Sequence, residues 1–309
     1  MWSRKALVKR AIKFTGPSRI PLWATGNPID SSDVFTYDLS LPDAEDSKKS
    51  EWGFARAKTP EGSWIVPEEP VLATWDQVDA LEIPAPDLDR RFAGINAAAK
   101  VCEDRYRICS LGLTGFCVYR ALRGAKHSID DCLIEPYRFL ELMGKIFEFE
   151  RCFIDLLARK GFHGVEFTDD WLDRQTTRLT LSLWRKLLKE HYANLFRCVK
   201  QSGLDVWMNL SPYCGEFIGD LAEIGVDVIR VDSPFQMEIS NWGRTNRGKV
   251  AFAVRLDEML RGGSVPADDL GQLLDGLSYK GNGFIAVLSD RTSARAREKT
   301  LAQLKRMAE

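Results

Sequence analysis

The sequence predicts a (β/α)8 TIM barrel, because strand-like and helix-like segments alternate with short links over most of its 309 residues. Three successive segments share one plan, in which a short apolar strand is followed at once by polar residues. The segments are residues 161–171 with Asp169 and Asp170, residues 204–211 with Asn209 and Ser211, and residues 225–233 with Asp232. In barrels of this kind the carboxyl ends of the strands carry the chemistry, so the plan predicts an enzyme or a ligand-binding barrel.

The first third of the chain is expected to supply one strand and a hairpin-bearing cover for the barrel. Gly16 and Pro17 end a first helix, and a turn signal at residues 59–62 lies between two strand-like runs. The expected elements are a helix at 3–14, a strand at 19–24, hairpin strands at 54–58 and 63–66, and helices at 75–80 and 90–103.

The rest of the chain alternates regularly between strand and helix. A long amphipathic helix begins near Pro136, a favoured first-turn residue, and stops at Gly161. The other expected elements are strands at 107–112, 165–168, 206–209, 228–231, 249–255 and 283–288, and helices at 181–202 and 216–224. Seven strands are counted where a closed barrel needs eight, so the missing strand is expected within 35–41 or 117–121, or is absent.

Composition and charge are those of an ordinary globular protein. A hydrophobic content of 45% suffices for a large core. One domain is expected, divided into an N-terminal part at 1–105 and the regular units at 106–309. Lys and Arg total 43 against 44 Asp and Glu, so neither nucleic acid nor an anionic membrane is expected as a partner.

The cysteines and the apolar runs bear on the location of the protein. Seven cysteines occur without a C-x-x-C pair, which indicates a reducing compartment rather than disulfides or a cysteine zinc site. The chain shows neither a signal-peptide pattern nor a run of about 20 apolar residues, so we predict a cytoplasmic protein that does not enter a membrane.

Several tracts resemble one known superfamily. They are Asp-Asp-Trp at 169–171, Leu183 and Trp184 on the following helix, and the tracts 203–207 and 220–227. Together with weaker likeness upstream, these tracts are similar to the uroporphyrinogen decarboxylase superfamily, which includes cobalamin-dependent methyltransferases. The resemblance covers most of the chain and implies a barrel enzyme that acts as a methyltransferase or a decarboxylase.

The resemblance also implies where metal chemistry should be sought. In the thiol-activating methyltransferases of this superfamily, a His-x-Cys pair at one strand end and a Cys near the last strand bind zinc, which keeps a thiolate deprotonated. This chain has Asn209 and Ser211 at that strand end, and Ser289 after the last strand. An amide and a hydroxyl are poor zinc ligands, so no metal site is expected. The alternative is a nonstandard site built from Cys214, Glu166 and Asp232.

The decarboxylase branch fits the sequence poorly as well. Its porphyrinogen-binding members carry a Met-Arg-Gln-Ala-Gly-Arg tract after the first strand, whereas this chain has Ala-Thr-Gly-Asn-Pro-Ile-Asp at 24–30. A macrocycle with many carboxylates needs several clustered arginines, and the candidates near predicted strand ends are Arg174, Arg230 and Arg255. A smaller anionic or oxygenated organic substrate is therefore expected.

The candidate catalytic residues are Asp169 and Asp170, of which only one can face the barrel axis because side chains alternate along a strand. Burial would raise the pKa of that carboxyl and suit it for general acid–base work. The alternative is that both carboxylates cap the following turn and pair with Arg174 or Arg178. The substrate-binding candidates are polar, cationic or aromatic residues of the expected rim: Asn209, Ser211, Asp232, Arg174, Arg255, Trp171 and His127.

The leading hypothesis is a methyltransferase or demethylase component that moves a methyl group between a small organic substrate and a corrinoid presented by a partner protein. No tightly bound cofactor is expected. The first alternative is a cofactor-free decarboxylase, in which an arginine holds the carboxylate while a carboxylic acid protonates the carbon. The second alternative is a barrel that binds a ligand without catalysis, which the missing His-x-Cys pair favours.

We expect the purified protein to contain far less than one zinc per chain, because Asn209 and Ser211 stand where zinc ligands would be needed. Elemental analysis of protein purified without chelators measures this quantity. Stoichiometric zinc in the wild-type protein would contradict the prediction.

Overall fold

The computed structural model describes residues 2–25, 31–39, 49–55, 57–58, 64–65, 69–86, 88–92, 94–95, 102–171, 179–211, 213–235, 237–261 and 265–306. Strands β1 to β10 are, in chain order, Leu22–Ala24, Val34–Asp38, Ala57–Lys58, Trp64–Ile65, Tyr106–Leu113, Gly164–Asp169, Asp205–Leu210, Val228–Val231, Ala251–Arg255 and Phe284–Leu288. Helices α1 to α12 are Arg4–Ile12, Trp75–Asp79, Leu88–Phe92, Gly115–Arg123, Ala125–Ile134, Pro136–Arg159, Leu181–Leu187, Lys189–Gln201, Ile218–Glu223, Ile239–Asn246, Ala267–Leu277 and Ala294–Arg306.

Eight parallel strands form the barrel, in the order β1-β10-β9-β8-β7-β6-β5-β2. Between the two end strands, the backbone N–H of Asp33 donates to the carbonyl oxygen of Leu22 at 2.7 Å, and the Asp33 carboxylate accepts the N–H of Leu22 at 2.8 Å. Arg19 holds the same carboxylate through hydrogen bonds of 2.7 and 2.6 Å. These bonds bring the sheet nearly to closure, and the predicted (β/α)8 barrel is confirmed.

The eighth strand of the barrel, which the sequence pattern does not place, is β2. It overlaps the alternative at 35–41 and pairs in parallel with β5 from end to end, whereas residues 117–121 belong to helix α4. The predicted hairpin is also present, since β3 and β4 are antiparallel, although its turn at 59–62 lies outside the described residues. The division of the chain at residue 105 stays a prediction.

Local sequence explains several helix ends. Helix α6 begins at Pro136, whose missing N–H costs nothing in a first turn, and the chain leaves it at Gly161, where φ is 76°. The predicted helix at 181–202 is two helices, α7 and α8, which meet at Leu188. The predicted helix at 90–103 is represented by α3 at its start. Within the described residues, none of the helices combines the length and apolar composition needed to span a membrane.

The side chains that point into the barrel form a core of their own. Trp23, Tyr106 and Trp207 are its largest members, and Trp23 meets Trp207 edge to face with ring centroids 5.6 Å apart. Helix α1 covers the amino end of the barrel and adds Val8 and Ile12 to this core. Side chains therefore fill the amino end of the barrel, and the carboxyl ends of the strands are left to build a site inside it.

Charged groups hold α1 against the barrel. Lys9 Nζ donates to the Asp205 carboxylate at 2.6 Å, and Lys13 Nζ lies 3.0 Å from the same carboxylate and 2.9 Å from Asp227. The Tyr106 hydroxyl donates to Asp205 at 2.8 Å. Burial alone would raise the pKa of Asp205, but the two lysines and the tyrosine outweigh burial and lower it.

Asp205→Asn is expected to lower the free energy of unfolding by about 2 kcal/mol at neutral pH, because Lys9 loses its anionic partner and Lys13 keeps only Asp227. Since the folded-state pKa of Asp205 is lowered, its contribution is full above the unfolded-state pKa and is lost as the pH falls through the folded-state value. The variant should therefore lose its disadvantage in acid. Urea unfolding at neutral pH and at about pH 3 measures this, with the exposed Asp275→Asn as the matched control. An equal deficit at both pH values would contradict the prediction.

Candidate active site

The carboxyl ends of the strands bring polar and charged side chains together inside the barrel. Because alternate residues of a strand face opposite sides, Glu166 on β6 points inward to Arg230 on β8, whereas Val165 and Phe167 pack against the helices. We call the inward group the mouth cluster. It comprises Ser110, Glu166, Asn209, Arg230, Asp232 and Arg255.

Arg230 lies at the centre of the mouth cluster. Its Nη1 donates to the two carboxylate oxygens of Glu166 at 3.1 and 3.3 Å, and its Nε and Nη2 donate to Asp232 at 3.0 and 3.2 Å. The guanidinium also lies over the Trp23 ring, 4.8 Å from the ring centroid. Two carboxylates and an aromatic face therefore match this buried charge.

The two carboxyls respond differently to this environment. Burial raises the pKa of Glu166, and the nearby Arg230 offsets only part of the effect. Burial would also raise the pKa of Asp232, but Arg230 and Arg255 together lower it below its usual range. Asp232 is thus the firmly ionised partner, and Glu166 is the carboxyl that takes up a proton more readily.

Arg255 is the cation of the mouth cluster that has a donor to spare. Its Nη2 lies 3.3 Å from Asp232 Oδ1, and its Nε is buried without a hydrogen-bond partner in the described part of the chain. A buried N–H that finds no acceptor costs free energy, and the oxygen of a ligand would restore the bond. Arg255 can therefore receive one anionic or carbonyl oxygen.

Two further predicted binding residues come from β7 and the loop after it. Asn209 hydrogen-bonds Asp232 and helps to lower the pKa of that carboxyl. Ser211 lies just past the strand, where its hydroxyl accepts the N–H of Tyr213 at 3.4 Å. The structure thus joins Asn209, Asp232 and Arg255 in one cluster and places Ser211 in the adjoining loop.

Asp169 points outward and caps helix α4. Its carboxylate accepts the backbone N–H of Phe116 at 3.0 Å, of Cys117 at 2.8 Å and of Asp170 at 2.9 Å, and it also accepts the Tyr192 hydroxyl. Burial raises its pKa to about 6, against the hydrogen bonds that lower it. A carboxylate at a helix N-terminus satisfies N–H groups that have no partner within the helix. This geometry suits a structural residue rather than a catalytic one.

Asp170 is the carboxylate of the pair that reaches the rim. Its Oδ2 lies 3.7 Å from Arg120 Nη1, and the Cys214 Sγ lies 3.8 Å from its Oδ1. The side chain of Asp170 is 31% exposed, against 1% for Asp169 as a whole residue. Of the two predicted catalytic carboxylates, Asp170 is therefore the one that a ligand at the rim could contact.

Trp171, a predicted binding residue, lies outside the barrel wall among other aromatic side chains. It is 1% exposed and packs against Trp184 and Phe217, with ring centroids 5.3 and 4.8 Å apart. Its Nε1 donates to the Tyr192 hydroxyl at 3.2 Å. The indole is thus a core residue between the barrel and the helices, because its polar atom is already bonded and its ring is enclosed.

Among the remaining predicted binding residues, His127 does not join the mouth cluster. His127 is exposed on α5, and its Nδ1 lies 3.1 Å from the carbonyl oxygen of Arg123 in the preceding helix. Its bonding partner is therefore the helical backbone rather than another site candidate. Arg174 and Arg178 lie outside the described residues.

Two central members of the mouth cluster were named above only in passing: Arg230 as an arginine near a strand end, and Glu166 as a ligand of the alternative metal site; neither was among the candidate catalytic or binding residues. Glu166 lies between Val165 and Phe167 in β6, Arg230 is the charged residue of the apolar strand β8, and a buried charge needs a partner. That signal is present in the sequence. The two charges can be recognised as partners only once the strand order is known, because that order places β6 and β8 on the two sides of β7.

The nonstandard metal site receives little support from this geometry. Glu166 and Asp232 are both bonded to Arg230, and burial raises the pKa of the Cys214 thiol well above its usual value. Among the residues that the structure describes, no three His, Cys, Asp or Glu side chains converge as a metal ion would require. The expected absence of a metal stays a prediction.

Comparisons with known proteins identify a shared fold. No protein-family model and no curated protein matches the sequence. Among solved structures, a methyltransferase from Methanosarcina mazei has a TM-score of 0.73 at 12% sequence identity, with 100% of each chain covered. A D-psicose 3-epimerase has a TM-score of 0.43 at 11% identity, covering 75% of this chain and 83% of its own. Tryptophan synthase from M. tuberculosis also has a TM-score of 0.43 at 11% identity, covering 100% and 96%.

The first of these likenesses shows that the two chains have the same fold over their full lengths. The TM-scores of the other two structures are too low to show a shared fold. Membership of the uroporphyrinogen decarboxylase superfamily therefore stays a prediction from the sequence tracts.

Asp169→Asn is expected to lower the free energy of unfolding by about 2 kcal/mol, because the amide would direct its NH2 at the backbone donors of α4. Asp170→Asn should change stability by no more than about 0.5 kcal/mol, because that side chain is partly exposed, yet it should reduce activity. Urea unfolding measured beside substrate turnover separates the two effects. Equal losses of stability, or full activity in the Asp170 variant, would contradict this assignment.

Proposed function

We propose that the protein is a methyl-transferring enzyme that holds a small anionic or oxygenated substrate in the barrel mouth. The observation that carries this proposal is Arg255, a partly buried cation whose buried Nε has no partner among the described residues, beside Asp232 and Asn209. The fold shared with a methyltransferase over the whole chain supports the choice of reaction.

The charges of the mouth cluster suggest the size of the substrate. The nitrogens of Arg230 are bonded to Glu166 and Asp232. Arg255 is therefore the cation of the described cluster that can bind a ligand oxygen. One available guanidinium suits one carboxylate or one oxyanion, and a ligand with many carboxylates would need several. The substrate class is therefore a small compound with a single anionic group or polar oxygen.

Methyl transfer leaves an electron pair on the oxygen that loses the methyl group. When the carbon–oxygen bond breaks, the oxygen keeps the electron pair and must be stabilised or protonated. Arg255 would stabilise the developing negative charge from a buried position, where its effect is strongest. Asp170 at the rim would orient the substrate or supply the proton.

A corrinoid presented by a partner protein would supply the atom that accepts or donates the methyl group. The rim is suited to covering by such a partner, because Tyr213 after β7 is 41% exposed and Phe235 after β8 is 59% exposed. Exposed aromatic side chains beside a site are common where another molecule docks. The residues of this chain would bind and orient the small substrate below that surface.

A decarboxylation is the second candidate, and the pKa of Glu166 favours it. Burial raises that pKa, so the Glu166 carboxyl can carry a proton inside the mouth cluster. In such a reaction Arg255 would hold the substrate carboxylate until carbon dioxide leaves, and Glu166 would protonate the carbon that remains. No bound cofactor would be required.

The test is a panel of small methoxy carboxylates and methyl ethers, incubated anaerobically with the protein and cob(I)alamin. Methylcobalamin and released carbon dioxide are measured together, so that the two candidate reactions are distinguished. For any compound turned over, Arg255→Leu should reduce kcat/KM about 100-fold or more, and Arg255→Lys should recover part of it. Arg295→Leu removes an exposed arginine on α12 and serves as the matched control.

Two outcomes would overturn the proposed function. One is an Arg255→Leu enzyme with wild-type kcat/KM. The other is a folded wild-type protein that produces neither methylcobalamin nor carbon dioxide from any member of the panel.

A further inference from the structure

A cleft outside the barrel lies between helix α6, the end of β5 and the cover segment at 49–55. It opens to solvent, and its cavity volume is about 50 Å³. Its lining includes the apolar side chains of Trp52, Phe54, Val118, Phe149 and Phe153, together with Glu150. Trp52 and Phe149 meet edge to face with ring centroids 5.3 Å apart. The cleft therefore combines aromatic surface with a carboxyl group.

Glu150 is buried and only half bonded. The residue is 4% exposed, and its Oε1 accepts the backbone N–H of Gly115 at 2.6 Å. Its Oε2 is buried and has no hydrogen-bond partner among the described residues. A buried carboxyl oxygen without a hydrogen-bond donor costs free energy, so the missing partner of Oε2 needs a physical explanation.

Capping of helix α4 does not explain the second oxygen. The next N–H groups of that helix, on Phe116 and Cys117, are already bonded to Asp169. Glu150 therefore contributes one bond to the helix, and its Oε2 adds nothing to the capping. A ligand that brings its own donor would satisfy Oε2.

The other charges of the cleft indicate the sign of such a ligand. Arg91 donates to Glu51 at 2.8 Å and also to the carbonyl oxygen of Leu39, so this cation is already matched. Its guanidinium lies 5.0 Å from the centroid of the Phe153 ring. With Arg91 neutralised by Glu51, an ionised Glu150 leaves the cleft with one unmatched negative charge, which a cation would neutralise.

We infer that the cleft binds a small organic ammonium ion, whose N–H donates to Glu150 Oε2 and whose alkyl part packs against Trp52 and Phe149. Aromatic walls beside a carboxylate recognise such cations through hydrogen bonding and cation–π attraction. This site is separate from the proposed methyl-transfer site, because Glu150 belongs to a helix outside the barrel whereas the mouth cluster lies inside it.

Ammonium binding should depend on pH. Glu150 faces the amino end of α4, Asp169, Tyr192 and the Arg91–Glu51 pair. Burial raises the pKa of Glu150 to about 8, the Gly115 N–H lowers it and Asp169 raises it further. Because the ligand pairs with the ionised form, its affinity should rise with pH up to about 9, and binding below that range should release a proton.

The experiment compares butylammonium with 1-butanol, which have the same number of heavy atoms and differ in the charged group. Ligand-observed NMR titrations at about pH 9 measure both dissociation constants. The wild-type protein should bind butylammonium about tenfold or more tightly than butanol, and Glu150→Gln should abolish this preference. Glu148→Gln, an exposed carboxylate on the same helix, is the matched control and should keep the preference.

A second measurement does not depend on the folding of any variant. In the wild-type protein, the indole N–H resonance of Trp52 should shift and saturate with butylammonium at the concentration that half-saturates the titration. The inference is wrong if the wild type shows no preference for the cation, if Glu150→Gln keeps that preference, or if the Trp52 resonance does not respond. None of these readouts uses methyl transfer, so they succeed or fail independently of the proposed reaction.

Discussion

The guanidinium of Arg230, enclosed by the barrel, determines which side chains must surround it in the mouth cluster. Arg230 comes from the apolar strand β8, and a charge in that position is tolerated only when matching groups surround it. Glu166 comes from β6, Asp232 follows β8, and the Trp23 ring comes from β1. Since these partners belong to separate strands, the contacts of one side chain also fix how the interior of the barrel is arranged.

The balance of charge then determines what a ligand encounters. Two arginines and two carboxylates leave the described mouth cluster close to neutral, with Asp232 shared between Arg230 and Arg255. An anion that binds at Arg255 would add negative charge near Glu166, whose pKa burial already raises. Proton uptake by Glu166 would thus accompany the arrival of an anionic substrate. A mouth of this kind would bind a small anion and hold a proton at the same time.

The fold and the site differ in how far the sequence could predict them. Alternating strands and helices are local patterns, and they predicted the barrel; β2 stayed ambiguous because a five-residue strand shows too little periodicity. Alternation also required that Asp169 and Asp170 face opposite sides, but which side is the interior depends on contacts between distant strands. Trp171 illustrates the same limit, since an aromatic residue next to a rim carboxylate can equally pack under the helices, as it does here.

One helix N-terminus links the mouth cluster to the outer cleft. Gly115 has φ of 51°, and a Cβ atom there would lie 2.3 Å from both Asp169 Oδ2 and the Tyr192 hydroxyl, so only glycine fits. The missing side chain lets carboxyls from two elements, Asp169 of β6 and Glu150 of α6, approach the first turn of α4 together. Because Asp169 is held there, the next residue, Asp170, is turned toward the rim. Glu150, which lines the cleft, is held by one oxygen, and its other oxygen has no partner among the described residues. The first turn of α4 therefore holds a carboxylate beside each proposed site, because the Gly115 N–H binds Glu150 at the cleft and the N–H groups of Phe116 and Cys117 bind Asp169, which precedes Asp170 at the rim.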